Sequence, residues 1–116
     1  MSELKILHNP RCSKSRQTLQ LLQENGHAPE VIEYLKTPID KGQIAIIIEL
    51  LGFSSARQLM RKGEDAYKEQ KLAKEESETV LIQAMVDTPK LIERPIVLVN
   101  GKAAIGRPPE SVLDIL

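Results

Sequence analysis

The chain has 116 residues, of which 41% are hydrophobic and 28% are charged, a composition typical of one folded domain and not of a disordered chain. Its 16 basic and 16 acidic residues give a formal net charge of zero, which argues against binding nucleic acid or a membrane surface through bulk charge. Any binding of an anion must therefore depend on a local cluster of positive side chains.

The only cysteine of the chain is Cys12, which excludes an internal disulfide and fits a reducing compartment. The sequence shows no hydrophobic signal segment and no apolar run that could span a bilayer, so we expect a cytoplasmic protein. An oxidised Cys12 would need a thiol from another molecule to reduce it.

The first part of the chain predicts a strand, a helix and a second strand. Residues 4–7 are an apolar run typical of a buried strand. The helix that follows can be capped by Ser13 or Ser15, and Asn25-Gly26 is a good signal for its end. Residues 29–35 predict the second strand, and this order implies a parallel βαβ unit with a right-handed crossover.

The middle of the chain, about residues 37–90, predicts a helical insertion. Asp40 and Gln43 form a capping pair for its first helix. Apolar residues at helical spacing predict a later helix over 77–86, and Pro89 should end it. The strongly charged stretch between these helices predicts a solvent-exposed helix face or loop.

The last part of the chain returns to strand patterns. Residues 95–99 are a β-branched run, followed by Asn100-Gly101 and a second short run that ends at Ile105. Asn-Gly between two such runs is typical of a hairpin with a type I′ turn, which needs a positive φ at both positions. Pro108-Pro109 can then open a terminal helix, whose apolar residues are Val112, Leu113 and Leu116.

Assembled, these elements give a βαβ half, a helical insertion and a ββα half within one domain over residues 1–116. The arrangement is typical of a thioredoxin-like α/β fold, in which a four-stranded mixed sheet is flanked by helices. In that fold a reactive cysteine begins the first helix, and a proline, usually cis, precedes the third strand. Cys12 and Pro95 take these places, so we predict a cis bond between Arg94 and Pro95.

Cys12 lies among basic residues, with four of them and no acidic residue from Lys5 to Arg16. A lone cysteine is more often a small core residue. The loop and cap residues around Cys12, however, lack the apolar period that would bury it. A thiol at a helix N-terminus near cations favours its thiolate, and the N–H groups exposed there suit an oxyanion. The sequence therefore predicts a reactive thiol beside an anion site.

Five stretches, in this order, resemble the glutaredoxin-coupled arsenate reductase family: residues 8–19 (HNPRCSKSRQTL), 34–38, 59–62, 93–97 and 106–108. The resemblance runs nearly from end to end. It implies that Cys12 is the nucleophile and that the oxyanion is bound by three arginines, namely Arg61, Arg94 and Arg107. It also implies that three residues tune the thiolate, namely His8, Ser15 and Arg16. Arg11 and Arg57 lack this support and are predicted to be surface charges.

The resemblance further implies a substrate, a co-substrate and a partner. The substrate would be arsenate or a similar oxyanion, glutathione would be the co-substrate that attacks the Cys12 adduct, and glutaredoxin would then remove the glutathione. No metal and no bound cofactor are expected, and the protein would be a monomer. The residue types fit, because guanidinium groups present planar, permanently charged forks to tetrahedral oxyanions.

Two other functions stay open. The better-known arsenate reductases have Gly-Thr after the cysteine, whereas this chain has Ser13-Lys14. This difference leaves open whether arsenate is the physiological substrate. A Cys-x-x-Ser motif also suits another glutathione-dependent thiol reductase. Spx-like interaction proteins of the same fold bind RNA polymerase, but their frequent Cys-x-x-Cys switch cannot form between Cys12 and Ser15.

Overall fold

The computed structural model describes residues 4–37 and 39–116, and the chain divides into two units. The first unit holds residues 4–37 and 94–116, and the second holds residues 39–93. Within these described ranges, no helix combines the length and the apolar character that crossing a bilayer requires.

The first unit is built on a four-stranded sheet in the order β2-β1-β3-β4. The strands are β1 (Lys5–Leu7), β2 (Glu30–Ile32), β3 (Ile96–Val99) and β4 (Lys102–Ile105). Strand β1 runs parallel to β2 and antiparallel to β3, and β3 runs antiparallel to β4. The predicted mixed sheet is confirmed.

The second strand is shorter than predicted. It ends at Ile32 because the N–H groups of Lys36 and Thr37 both bond to the carbonyl of Glu33 and form a turn. Tyr34 lies in this turn and is buried, so its apolar ring produced a strand-like pattern in a segment that is not a strand.

One face of the sheet packs against helix α1 (Ser13–Glu24) and a 3-10 helix, Pro109–Ile115. Register places Ile6 opposite Val97, and strand alternation sends both side chains to the same face. There they join Leu22 and Val112 in a core whose four members are fully buried. The predicted terminal helix is present as a 3-10 helix, in which Val112 is buried, whereas Leu116 at its C-cap is 43% exposed.

The ends of α1 show one correct prediction and one wrong one. Asn25 is the C-cap and Gly26 has a φ of +83°, as the Asn-Gly signal predicted. At the other end the N-cap is Cys12, and neither serine caps the helix. The reason is a turn in which the Cys12 N–H bonds to the Asn9 carbonyl, so that the Cys12 carbonyl becomes the first acceptor of the helix.

The β3–β4 turn and the peptide bond before β3 follow the sequence signals. Asn100 and Gly101 have φ values of +50° and +72°, which confirms the positive values that a type I′ turn needs. The Arg94-Pro95 bond is cis, as predicted. The Arg107-Pro108 bond is also cis, which the sequence analysis did not predict.

The helices and 3-10 helices described in the second unit lie between residues 41 and 91. They are α2 (Lys41–Leu50), Ala56–Leu59, α3 (Asp65–Glu69), Leu72–Lys74, α4 (Glu78–Asp87) and Pro89–Leu91. Asp40 and Gln43 form the predicted capping box, and Ser77 caps α4. A single β-bridge joins Met60 to Ile92.

Arg57 was predicted to be a surface charge, and this is wrong. The residue is half-buried, and its guanidinium donates hydrogen bonds to the Tyr67 hydroxyl and to the carbonyls of Leu72 and Glu75. The charged stretch that supplies these two carbonyls is mostly exposed to solvent, as predicted. Only the tertiary structure brings these carbonyls together, so no local pattern could have indicated them.

Candidate active site

Cys12 lies at the N-terminus of α1 and is partly exposed to solvent. The backbone N–H groups of Lys14 and Ser15, in the first turn of α1, act on its sulfur. The Cys12 side chain does not, however, form a capping hydrogen bond with the helix. The nucleophile predicted from sequence is thus accessible and faces the positive end of a helix dipole.

Two arginines of the first unit come together at the sulfur. Arg107 places Nη2 at 3.8 Å from the Cys12 Sγ, across 95 residues of sequence. The same guanidinium donates from Nε to the backbone carbonyl of Arg94 at 2.8 Å. The charge of Arg94, which is half-buried, also acts on the sulfur. Both residues directly precede a proline, at the two ends of the β3–β4 hairpin.

These groups favour the thiolate of Cys12. Burial by itself raises the pKa of the thiol. The Ser15 N–H, the Arg94 charge, the Lys14 N–H and the Arg107 charge together outweigh burial, so the pKa of Cys12 lies below that of an ordinary thiol. A helix terminus and two guanidinium groups are known causes of such a shift, and the thiolate is the nucleophilic form.

His8 and Ser15 form a buried pair behind the cysteine. His8 Nδ1 lies 2.6 Å from Ser15 Oγ, which also accepts a hydrogen bond from the Asn9 N–H at 3.0 Å. Burial, followed by the opposing charges of Glu33 (raising) and Arg16 (lowering), gives His8 a lowered pKa. In a neutral ring, Nδ1 can accept a hydrogen bond from the Ser15 hydroxyl, and the ring's own proton is then on Nε2.

Arg16 contacts the loop before the helix. Its Nη1 donates to the Pro10 carbonyl at 2.9 Å, and its side chain is otherwise exposed. Its charge contributes to the lowered pKa of His8. Its part in tuning the thiolate stays a prediction.

Arg61 lies in the second unit, before α3. Its N–H bonds to the Leu91 carbonyl at 2.7 Å, and its Nη1 lies 3.4 Å from Glu64 Oε2. Binding of an oxyanion by Arg61 stays a prediction from the resemblance.

The sequence analysis missed the part played by Asn9. The Asn9 N–H donates a hydrogen bond to Ser15 Oγ, and Asn9 Oδ1 accepts one from the Arg11 N–H at 3.0 Å. Asn9 therefore ties the loop before α1 both to the helix and to itself. An Asn before a proline is a known signal for such a side-chain turn. In the part of the chain that the structure describes, no three His, Cys, Asp or Glu side chains are grouped to hold a metal ion.

Comparison with known proteins identifies the family. Residues 7–115 match the ArsC family. The chain belongs to the ArsC family. A relative in Neisseria meningitidis, named arsenate reductase, is 51% identical over the whole of both chains. A protein of Escherichia coli, named uncharacterized protein YfgD, is 62% identical over 98% of this chain and 97% of its own.

A solved structure of an ArsC relative has the same fold. The structure titled arsenate reductase from Vibrio cholerae is 49% identical, covers 98% of each chain and superposes with a TM-score of 0.96. The predicted thioredoxin-like fold is therefore confirmed. In this member of the ArsC family, the first unit brings an accessible thiol with a lowered pKa, a helix N-terminus and two guanidinium groups to one place, which suits nucleophilic attack on an oxyanion.

Proposed function

We propose that this protein is an arsenate reductase that depends on glutathione and glutaredoxin. The observation that carries the proposal is the position of the Arg107 guanidinium, 3.8 Å from the sulfur of a cysteine at a helix N-terminus. An anionic nucleophile and an anionic substrate repel each other unless fixed positive charge lies between them. The name of the relative that is 51% identical supports arsenate as the anion.

In the first step the Cys12 thiolate attacks arsenic(V). A sulfur–arsenic bond forms, one arsenate oxygen takes up protons and leaves as water, and arsenic stays in the +5 state. The side chains of Arg94 and Arg107 balance the charge of the oxyanion, and the first-turn N–H groups of α1 can donate to its oxygens. A lowered pKa for Cys12 makes the nucleophile available near neutral pH.

Glutathione supplies the second thiol. Its sulfur replaces another oxygen on arsenic, which leaves as water, and gives an adduct in which arsenic joins Cys12 and glutathione. A glutaredoxin thiol then attacks the glutathione sulfur. The sulfur–arsenic bond to glutathione breaks, its electron pair stays on arsenic, and the products are arsenic(III) on Cys12 and a glutaredoxin–glutathione disulfide. Water releases arsenite, and a second glutathione restores glutaredoxin.

The chain's single cysteine accords with this scheme, because both resolving thiols come from other molecules. We propose that the protein works as a monomer in the cytoplasm, where both thiol systems are kept reduced. No resident cofactor is needed, since the two electrons come from glutathione. Arg61 is proposed as a third oxyanion ligand on the resemblance alone.

The test is oxidation of NADPH coupled to arsenate through glutathione reductase, glutathione and glutaredoxin. We expect turnover only when glutathione and glutaredoxin are both present, and none for Cys12→Ser. The matched control is Arg11→Met, which removes an exposed guanidinium of the same loop. Equal rates for Cys12→Ser and the unaltered protein would refute the proposed nucleophile.

A second assay separates this function from that of another glutathione-dependent thiol reductase. We expect release of glutathione from a glutathionylated peptide to be slow, and we expect arsenate reduction to be lost in Arg94→Met and Arg107→Met. Fast deglutathionylation that survives both substitutions, without arsenate turnover, would favour the other reductase.

A further inference from the structure

Gly106, at the end of β4, is buried at a close approach between β4, α1 and Pro95. A Cβ on this residue would lie 2.4 Å from Thr18 Oγ1 and 2.8 Å from Pro95 Cγ. Both distances are shorter than van der Waals contact allows. The φ of Gly106 is outside the left-handed region, so the position demands glycine for space and not for backbone conformation.

The atoms that a Cβ would meet are themselves held. Thr18 is fully buried, and its Oγ1 donates to the Lys14 carbonyl at 2.8 Å, so its hydroxyl cannot turn away without losing that bond. On the other side, the Gly106 N–H donates to the Pro95 carbonyl at 2.9 Å. The end of β4 is thus fixed between the first turns of α1 and the start of β3.

Arg107 is the next residue in the chain, and its guanidinium reaches the Cys12 sulfur. The separation of 3.8 Å is near the upper limit for an N–H···S contact, so a shift of a few tenths of an ångström at Gly106 would weaken it. We propose that Gly106 and Thr18 are positioning residues, whose contact sets the place of the Arg107 guanidinium relative to the Cys12 sulfur. The inference does not depend on the proposed reductase activity, because it concerns the thiolate alone.

The experiment is the pH profile of Cys12 alkylation by iodoacetamide, which needs no arsenate or partner. For Gly106→Ala we expect the profile to move to higher pH, with a several-fold slower reaction at pH 7. At a pH high enough to ionise the thiol fully, the rates of variant and unaltered protein should converge. Gly106→Ala/Thr18→Ala removes the closest contact and should move the profile back.

A double-mutant cycle tests whether Gly106 acts through Arg107. In an Arg107→Met background, Gly106→Ala should have no further effect on the rate at pH 7. If the two effects instead multiply, Gly106 does not act through the guanidinium and the proposal is wrong.

Two controls separate positioning from stability. Leu22→Ala, in the core of the same unit, should lower the melting temperature and leave the alkylation profile in place. If Gly106→Ala behaves in the same way as Leu22→Ala, the role of Gly106 is only structural. If Gly106→Ala does not fold, Thr18→Val replaces the hydroxyl by a larger methyl against Gly106. A wild-type profile for Thr18→Val would then overturn the proposal.

Discussion

Two arginines, one in each unit, show how the same side chain can serve reactivity or stability. Arg57 directs its guanidinium to a hydroxyl and to two backbone carbonyls of the second unit. Arg107 uses Nε for one carbonyl and turns Nη2 towards the Cys12 sulfur. Both lie in loops or short helices, and neither is fully buried.

The difference lies in what each guanidinium meets. Arg57 meets neutral oxygens whose hydrogen bonds would be lost without it, so its removal should affect folding. Arg107 meets a group that can become an anion, so its removal should affect the protonation of that group. The comparison would be wrong if removal of Arg57 changed the protonation of Cys12, or if removal of Arg107 strongly reduced stability.

The largest effect is expected for Arg107→Met in the coupled arsenate assay. Loss of one donor to a developing oxyanion typically lowers the rate by about 100-fold or more. The same substitution should raise the pKa of Cys12, measured by thiolate absorbance, because a favourable charge is removed. Arg11→Met is the control and should change neither value. A Cys12 pKa that stays the same in Arg107→Met would contradict the charge argument.

Arg57→Met should have the largest effect on stability. It leaves two backbone carbonyls and the Tyr67 hydroxyl without their donor, at a cost of about 2–4 kcal/mol in the free energy of unfolding. Chemical denaturation would measure it, with Arg107→Met as the comparison, for which a change below about 1 kcal/mol is expected. A loss below about 0.5 kcal/mol for Arg57→Met would show that its hydrogen bonds do not hold the second unit together.

A smaller effect is expected from the pH dependence of the His8–Ser15 pair. The folded pKa of His8 is lowered, mainly by burial, from its ordinary value of 6.5. The unfolded chain therefore binds the proton first, and the free energy of unfolding should fall as pH drops through the folded pKa, below 6.5. His8→Gln should flatten this dependence below pH 6.5, which chemical denaturation at a series of pH values would measure. A flat profile in the unaltered protein would argue against a neutral His8.

The smallest effect is expected for Glu78→Gln, at the edge of the Arg57 cluster. The Ala56 N–H and the Ser55 hydroxyl lower the pKa of Glu78 against the opposing effect of burial, and the Arg57 charge lowers it further. The stabilisation is present above the ordinary pKa of 4.5 and is lost as pH falls through the lower folded value. Because the side chain is exposed, we expect a loss below about 1 kcal/mol at pH 7. Glu76→Gln, on the same exposed stretch, should cost less than Glu78→Gln does.

The fold could be predicted because its signals are local. The Asn100-Gly101 turn, the Asp40–Gln43 capping box and the end of α1 at Asn25-Gly26 each depend on residues within a few positions of one another. The parallel β1–β2 pair and the β3–β4 hairpin followed from the βαβ and hairpin patterns. Two predictions of secondary structure were wrong. The second strand was predicted too long because the buried Tyr34 fits a strand pattern, and a serine was predicted as the N-cap of α1 because the turn that makes Cys12 the N-cap was not recognised.

The site could be predicted only in part. The place of Cys12 before a helix is a local fact, but the approach of Arg107 across 95 residues is not, and the family resemblance had to supply it. The Tyr67 hydroxyl and the two backbone carbonyls that accept hydrogen bonds from Arg57 are likewise not indicated by local patterns. The lack of room for a Cβ at Gly106 arises from the packing of β4 against α1 and Pro95, and a single sequence does not show this packing.

Because Cys12 is both the proposed nucleophile and the N-cap of α1, the chemical state of its sulfur acts on the helix itself. Because the folded state lowers the pKa of Cys12, thermodynamic linkage requires that ionisation of the thiol raises the free energy of unfolding. Each neutral adduct on sulfur withdraws a negative charge from the positive end of α1. The protein should therefore be most heat-resistant when its thiol is free and ionised, and capping the sulfur with a neutral group should loosen the first turn and lower the melting temperature.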